Sequence, residues 1–203
     1  MKCEHISYIE QRLGYTFKDK DLLIRALTRK AFAQEQKQKG QNCEDQEVYR
    51  ILGDAVLKLI LVEMLIEKGY DSREKITNKK SDLEKRENLG EMFQEMGIAP
   101  FIRFGIGEQK QGISKQSSVL GETFEALVAA VYVDTRSYET TKRLFINLFN
   151  KAAVTDSKKK ASNKDSQLDE ISKMWMRFNV CNFCAHPDTC GTMRMCYLDV
   201  TGD

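Results

Sequence analysis

The sequence feature that most constrains the fold is a long helix-forming stretch over residues 46–65 with two different faces. At helical spacing, positions i, i+3 and i+7 lie on one side, so Glu47, Arg50 and Asp54 share a charged face. Apolar residues at the same period predict a core-facing side, formed by Leu52, Val56, Leu59 and Ile60. The stretch therefore predicts one central helix that ends near Gly69.

Composition extends the prediction of helix to most of the chain. The 203 residues include only two prolines and twelve glycines, and long runs of good helix formers lie between them. Further helices are predicted where apolar residues recur at helical spacing, over residues 6–13, 22–27, 79–96, 120–133 and 138–150. Residues 34–45 and 105–108 are predicted to be loops because they are polar or glycine-containing. The predicted fold class is all-α.

The balance of charged and apolar residues predicts a water-soluble globular protein. Hydrophobic residues make up 41% of the chain and charged residues 31%, and no apolar run is long enough to cross a membrane. The N-terminus shows no signal peptide, so the predicted location is the cytoplasm, with no membrane partner. The net charge of +2 neither requires nor excludes nucleic acid, because a basic stripe and an acidic site can coexist in one protein.

Two of the predicted helices each carry a pair of acidic residues. Glu47 and Asp54 lie on the central helix, and Glu122 and Glu125 lie three residues apart on the later one. Carboxylates on facing helices are a common way for a helical bundle to hold a divalent metal. Mg²⁺ binds a few carboxylates and keeps its other waters, which suits hydrolysis of a phosphodiester by metal-activated water. The alternative is that these acids form solvated helix faces, as most glutamates do.

Blocks of sequence in a fixed order resemble the catalytic domain of the ribonuclease III family, over about residues 4–150. These blocks are Leu13–Phe17 with Asp21–Thr28, then Leu52–Leu57, then Gly121–Asp134. The resemblance implies an all-α endonuclease domain that forms a homodimer, with a valley that holds double-stranded RNA. It also implies an acidic cluster at each end of the valley that depends on Mg²⁺, or on Mn²⁺ in its place.

Several functional positions of that family have a matching acid in this chain. The resemblance implies a metal-ligand role for Asp54 and Glu125, and it matches the leading acid of the signature helix to Glu47. Glu122 stands where the family usually has an aspartate, and Glu74 matches an acid that precedes the polar helix. The predicted catalytic residues are therefore Asp54, Glu125, Glu47 and Glu74, and the predicted metal ligands are Asp54, Glu122, Glu125 and Glu47.

Arg50 is the main departure from the family pattern, because the family places a metal-ligand glutamate there. Two smaller departures are Ile51, in place of an aromatic residue that plugs a pocket on the partner subunit, and the change of Thr-His-Ser to Thr28–Lys30. Arg50 is expected either to pair with Asp54 or Glu122 or to turn outwards onto an RNA phosphate. The first arrangement would neutralise the site, and the second would leave the acids free for metal.

These alternatives lead to two functional hypotheses. The first is a metal-dependent endoribonuclease that cleaves double-stranded or structured RNA in RNA processing. The second is a catalytically impaired relative that keeps the fold as an RNA-binding or ribonucleoprotein scaffold, because Arg50 replaces the glutamate.

The C-terminal part of the chain is predicted to be separate from the helical domain. Residues 1–152 form the predicted catalytic domain, residues 153–166 a basic flexible linker, and residues 167–203 a short helix with a cysteine-rich segment. No pattern of a double-stranded-RNA-binding domain is found there. The spacing of four cysteines suits a structural Zn²⁺ site, formed by Cys181, Cys184, Cys190 and Cys196. An iron–sulfur cluster, or free or disulfide-bonded cysteines, are the alternatives.

Overall fold

The computed structural model describes residue 1 and residues 3–149, and α-helix is the dominant element of this part of the chain. The helices are α1 (Cys3–Leu13), α2 (Lys20–Ala26), α3 (Lys30–Gln38), α4 (Glu47–Glu67), α5 (Arg73–Leu83), α6 (Arg86–Glu95), α7 (Ile106–Lys110), α8 (Ser117–Thr135) and α9 (138–149). Two short 3₁₀ turns lie at Ala99–Phe101 and Ile113–Lys115. The prediction of an all-α fold is confirmed.

Helix α8 lies at the centre of the core and packs mainly against α4 and α6, with α2 on a further side. Residues 126–131 of α8 are fully buried on every side of the helix, and for this reason every residue in this segment is apolar. From α4, Leu57, Ile60 and Leu61 are almost completely buried in the same core. Each such side chain contributes about 1.5–3 kcal/mol by leaving water. The contact between α4 and α8 therefore holds the domain together.

Several predicted boundaries agree with the structure because local signals mark them clearly. Helix α1 ends at Leu13, and Gly14 follows with a φ of 73°, a conformation that glycine adopts without strain. Helix α2 begins after Asp19, whose side chain accepts a hydrogen bond from the amide of Asp21 and caps the helix. The predicted central helix corresponds to α4, and the predicted helix over residues 120–133 lies within α8.

Other local predictions were wrong. Residues 34–38, predicted to be part of a loop, belong to α3, which buries only Ala33 and therefore shows almost no apolar period. The predicted single helix over residues 79–96 is two helices, because the chain takes an extended conformation at Lys85 between α5 and α6. The predicted loop at residues 105–108 begins helix α7, where the Glu108 side chain accepts a hydrogen bond from the Gly105 amide.

One side of α4 is apolar and yet exposed. Leu59, predicted to lie in the core, is 53% exposed, and that prediction was wrong. It belongs to a set that recurs at helical spacing along α4, here called the α4 stripe: Val48, Ile51, Leu59 and Ile66, which are 60%, 76%, 53% and 56% exposed. Isolated exposed apolar residues are ordinary, but a row of them on one helix face is typical of an interaction surface.

None of the helices described is both long enough and apolar enough to span a membrane. The predicted linker and cysteine-rich segment, with the candidate zinc ligands Cys181, Cys184, Cys190 and Cys196, lie outside the described residues.

Candidate functional site

The acidic residues of α4 and α8 meet where these two helices approach most closely. A Cβ atom placed at Gly53 would lie 1.7 Å from the backbone oxygen of Glu125, so only glycine fits at this position. Asp54 follows Gly53 in the chain, and Glu125 itself lies at the contact point. The close approach therefore places the α4 acids beside the α8 acids.

Arg50 joins two of these acids through its guanidinium group. Its Nη1 lies 2.8 Å from Oε1 of Glu47, one turn earlier on α4, and its Nη2 lies 2.8 Å from Oε1 of Glu122 on α8. The Arg50 side chain is 25% exposed, and its buried Nε has no hydrogen-bond partner among the described residues. Of the two arrangements expected for Arg50, the structure has the inward one, with Glu122 and Glu47 as partners in place of Asp54.

Glu122 also binds a second arginine, Arg29, which directly precedes α3. Nη1 of Arg29 lies 2.9 Å from Oε2 of Glu122, and Nε of Arg29 lies 3.1 Å from Oε1 of Glu108. The backbone holds Arg29 in place, because its amide donates to the carbonyl of Arg103. A third arginine, Arg86, approaches Glu122 at 3.9 Å. Arg29 appeared in the sequence only as a departure from the family pattern, and its role in this site was missed.

Asp54 and Glu125 form the other part of the cluster. Asp54 is paired with Lys58, with 2.8 Å between Oδ2 and Nζ, one turn along α4. Burial raises the pKa of Glu125, and the negative charges of Asp54 and Glu122 raise it further, while Arg50 and Arg86 oppose the shift. Glu125 is therefore a partly desolvated carboxylate that lies within the electrostatic field of Asp54.

Glu74 does not join the cluster. It lies in the first turn of α5 with an exposed side chain, and within the part of the chain that the structure describes it makes no ion pair or side-chain hydrogen bond. The structure thus brings together four of the five sequence-predicted acids, Glu47, Asp54, Glu122 and Glu125, and leaves Glu74 apart.

The cluster has the right donor atoms for a divalent cation but not the right arrangement. Carboxylate oxygens are the ligands that Mg²⁺ and Mn²⁺ prefer. However, no group of three or more potential ligand side chains converges on one point among residues 3–149. Arg50 lies between Glu47 and Glu122, where its positive charge opposes a cation. As arranged here, the residues do not fit the metal that the resemblance implies.

Comparison with known proteins gives one consistent family. A sequence model of the family described as Ribonuclease-III-like matches residues 19–152. The ribonuclease 3 of Pseudomonas syringae pv. tomato is 34% identical over 158 residues, which is 76% of this chain and 65% of that protein. The ribonuclease 3 of Pseudomonas fluorescens is 36% identical over 130 residues, 64% of this chain and 53% of that protein. The chain therefore spans between half and two thirds of the length of these curated relatives.

Solved structures of the nuclease domain of ribonuclease III from Campylobacter jejuni have the same fold. One, at 2.2 Å resolution, superposes with a TM-score of 0.65 at 30% identity and covers 74% of this chain and 96% of that chain. Another, which concerns structural flexibility in a region involved in dimer formation of that domain, gives a TM-score of 0.65 at 29% identity. It covers 72% of this chain and 97% of that chain.

Proposed function

This chain belongs to the ribonuclease III-like family, and on that premise we propose that it is an endoribonuclease of restrained activity on double-stranded or structured RNA. The observation that carries the proposal is the cluster at the α4–α8 contact. Asp54 and Glu125, which match the family's metal-ligand acids, lie there, while Arg50 forms ion pairs with Glu47 and Glu122. The presence of Asp54 and Glu125 supports cleavage of RNA, and Arg50 limits its rate.

Arg50 limits cleavage because it competes with a divalent cation for the same carboxylates. A hydrogen bond to a charged group contributes about 1.5–3 kcal/mol when it is shielded from water. The pair with Glu122 is mostly buried, whereas Glu47 is 41% exposed and its pair with Arg50 is weakened by solvent. A cation must displace Arg50 to reach these carboxylates, so the presence of Arg50 is expected to weaken metal binding by up to about tenfold, since 1.4 kcal/mol corresponds to a factor of ten.

The α4 stripe supports a second part of the proposal, that two copies of the chain associate through this face. Ile51 is the most exposed member at 76%, and it lies one residue from Arg50. An exposed apolar row so close to the acidic cluster is expected to be covered in the assembled protein. A homodimer would place the clusters of the two copies on one continuous surface for a duplex.

A second candidate function is RNA binding without cleavage, and the ion pairs of Arg50 favour it. If Arg50 never leaves Glu47 and Glu122, the domain would keep its fold and bind RNA without cleaving it. This is the scaffold hypothesis. It differs from the first proposal only in whether the wild-type chain cuts RNA at all.

One experiment separates the two candidates. Purified full-length protein is incubated with long double-stranded RNA and Mg²⁺ or Mn²⁺, and binding and cleavage are measured separately. The endoribonuclease proposal predicts slow cutting that Asp54→Asn and Glu125→Gln both abolish. A matched control is Asp71→Asn, because Asp71 pairs with Lys75 at 2.9 Å on the protein surface much as Asp54 pairs with Lys58.

The outcomes are distinct. Binding without any cutting by the wild type, with cutting gained in Arg50→Glu, supports the scaffold. Loss of cutting in Asp71→Asn as well would mean that the assay reports surface charge and not the cluster. A wild type that neither binds nor cuts duplex RNA contradicts both candidates.

A further inference from the structure

Glu122 occupies an unusual position for a side chain expected to bind metal. Its two carboxylate oxygens are each taken by a different arginine, Oε1 by Arg50 at 2.8 Å and Oε2 by Arg29 at 2.9 Å. The Glu122 side chain is only 15% exposed, so water does little to screen either contact. Arg29, Glu122 and Arg50 are here called the Glu122 clamp.

We infer that Glu122 is a positioning residue that holds Arg50 inside the acidic cluster, and that Arg29 fixes Glu122 for this purpose. The clamp supplies from within the protein the positive charge that a divalent cation would bring. In this arrangement Glu122 is not a metal ligand. The inference rests on the proposed function only in taking this cluster as the place where a cation would bind.

Arg29 is suited to this role because it cannot easily move. The Arg29 amide donates to the Arg103 carbonyl, and the Arg103 amide donates to the Leu27 carbonyl. These two hydrogen bonds fix the position of the backbone on both sides of Thr28. The Arg29 guanidinium also binds Glu108, which caps α7. The side chain thus reaches Glu122 from a fixed backbone, with a second carboxylate holding its other edge.

Arg50 reaches Glu122 from the opposite direction and from a separate helix. Since each arginine binds its own oxygen, removal of either one leaves the carboxylate held by the other. Removal of both leaves Glu122 with only the 3.9 Å contact to the exposed Arg86, so its carboxylate can turn towards Asp54 and Glu125. The clamp therefore predicts that the two arginines act together in excluding a cation, in more than additive fashion.

Mn²⁺ binding tests this without RNA. Free Mn²⁺ is counted by electron paramagnetic resonance in titrations of full-length wild type, Arg29→Gln, Arg50→Gln and the double variant. Mn²⁺ is chosen because it prefers carboxylates over thiolates, so the C-terminal cysteines compete little. Arg73→Gln, an exposed arginine in the first turn of α5, is the matched control for loss of one positive charge.

The expected result is a gain of less than tenfold in Mn²⁺ affinity for each single variant and of several hundredfold for the double variant. Adding Glu122→Gln to the double variant should remove most of that gain, and adding Asp54→Asn should remove the rest. Full gain from Arg50→Gln alone, gains that simply multiply, or no Mn²⁺ binding in the double variant would each overturn the inference.

A second measurement covers the case in which a variant folds poorly. In a double-mutant cycle of urea unfolding, Arg29→Gln and Arg50→Gln should be non-additive in the wild type and additive once Glu122→Gln is present. Non-additivity that persists without Glu122 would overturn the clamp. Because neither measurement uses RNA, a protein that fails to cut RNA but shows this behaviour contradicts the proposed function and leaves the clamp standing.

Discussion

The contact at Gly53 gives the most direct test of how the fold builds the site. In Gly53→Ala the new Cβ would lie 1.7 Å from the Glu125 oxygen and 2.5 Å from its carbonyl carbon. An ordinary contact needs about 3.5–4 Å, so α4 and α8 must separate by about 2 Å at this level. Both obstructing atoms belong to backbone inside a helix, and no side-chain rotation relieves the clash.

The expected cost of Gly53→Ala follows from this displacement. Overpacking a core costs about 1–3 kcal/mol and occasionally more, and here the separation also loosens the apolar contacts on both sides of the glycine. The higher helix propensity of alanine offsets about 0.5–1 kcal/mol of this loss in folding free energy. The severity of the clash favours the upper end of the overpacking range, so a net loss of about 2–3 kcal/mol is expected, which lowers Tm by roughly 4–12 °C in a domain of this size.

Urea unfolding followed by circular dichroism, at fixed protein concentration, measures this loss. Gly107→Ala is the control, because Gly107 also lies in a helix but a Cβ there meets nothing within 4 Å. That variant should be neutral or slightly more stable. If Gly53→Ala loses less than about 1 kcal/mol, the helices are not held at the distance on which the site depends.

Ile51→Asp should weaken self-association by more than tenfold in sedimentation experiments, whereas Ile106→Asp, on α7 and 56% exposed, should not. Glu125→Gln should raise stability at pH 7 in urea unfolding, because the raised pKa means that the folded state disfavours the charged carboxylate; the gain should shrink as pH falls and Glu125 takes up its proton. Asp134→Asn should cost about 1–3 kcal/mol at pH 7, and the difference from wild type should shrink as pH falls through the lowered folded-state pKa of Asp134.

The reasoning for Asp134 depends on the sign of its shift. Burial raises the pKa of Asp134, but hydrogen bonds from the Tyr15 hydroxyl and from the amides of Lys18 and Asp19 outweigh it and hold the pKa below its usual value. A lowered pKa stabilises the fold above the unfolded-state value and loses that contribution as pH falls through the folded-state value. Equal pH dependence in wild type and Asp134→Asn would contradict this role.

The sequence predicts the central elements of the fold because their signals are local and strong. Helix α4 shows a clear helical period over most of its length, and α8 is an apolar run long enough to be a buried helix. Helix α3 escaped prediction because tertiary packing of Ala33 is its one deep contact. Leu59 was misplaced in the core because a periodic apolar residue can face a partner surface as well as the interior.

The sequence left the partner of Arg50 open between Asp54 and Glu122, and the close approach of α8 gives it Glu122. The pairing with Glu47 and the contact of Arg29 with Glu122 were not predicted. Arg29, Arg50 and Glu122 each stood out in the sequence as a departure from the family pattern. Only the packing of α3, α4 and α8 shows that these three residues touch. Contacts between helices distant in the chain have no local signal, which is why the Glu122 clamp emerged only in three dimensions.

The central claim is that Arg50 competes with a divalent cation at the acidic cluster. The most direct measurement is the rate of double-stranded RNA cleavage as a function of Mg²⁺ concentration, for the wild type and for Arg50→Glu. Arg50→Glu is predicted to cut faster and to reach its half-maximal rate at a Mg²⁺ concentration at least tenfold lower. Identical Mg²⁺ dependence in the two proteins, with cutting that still requires Asp54, would contradict the claim.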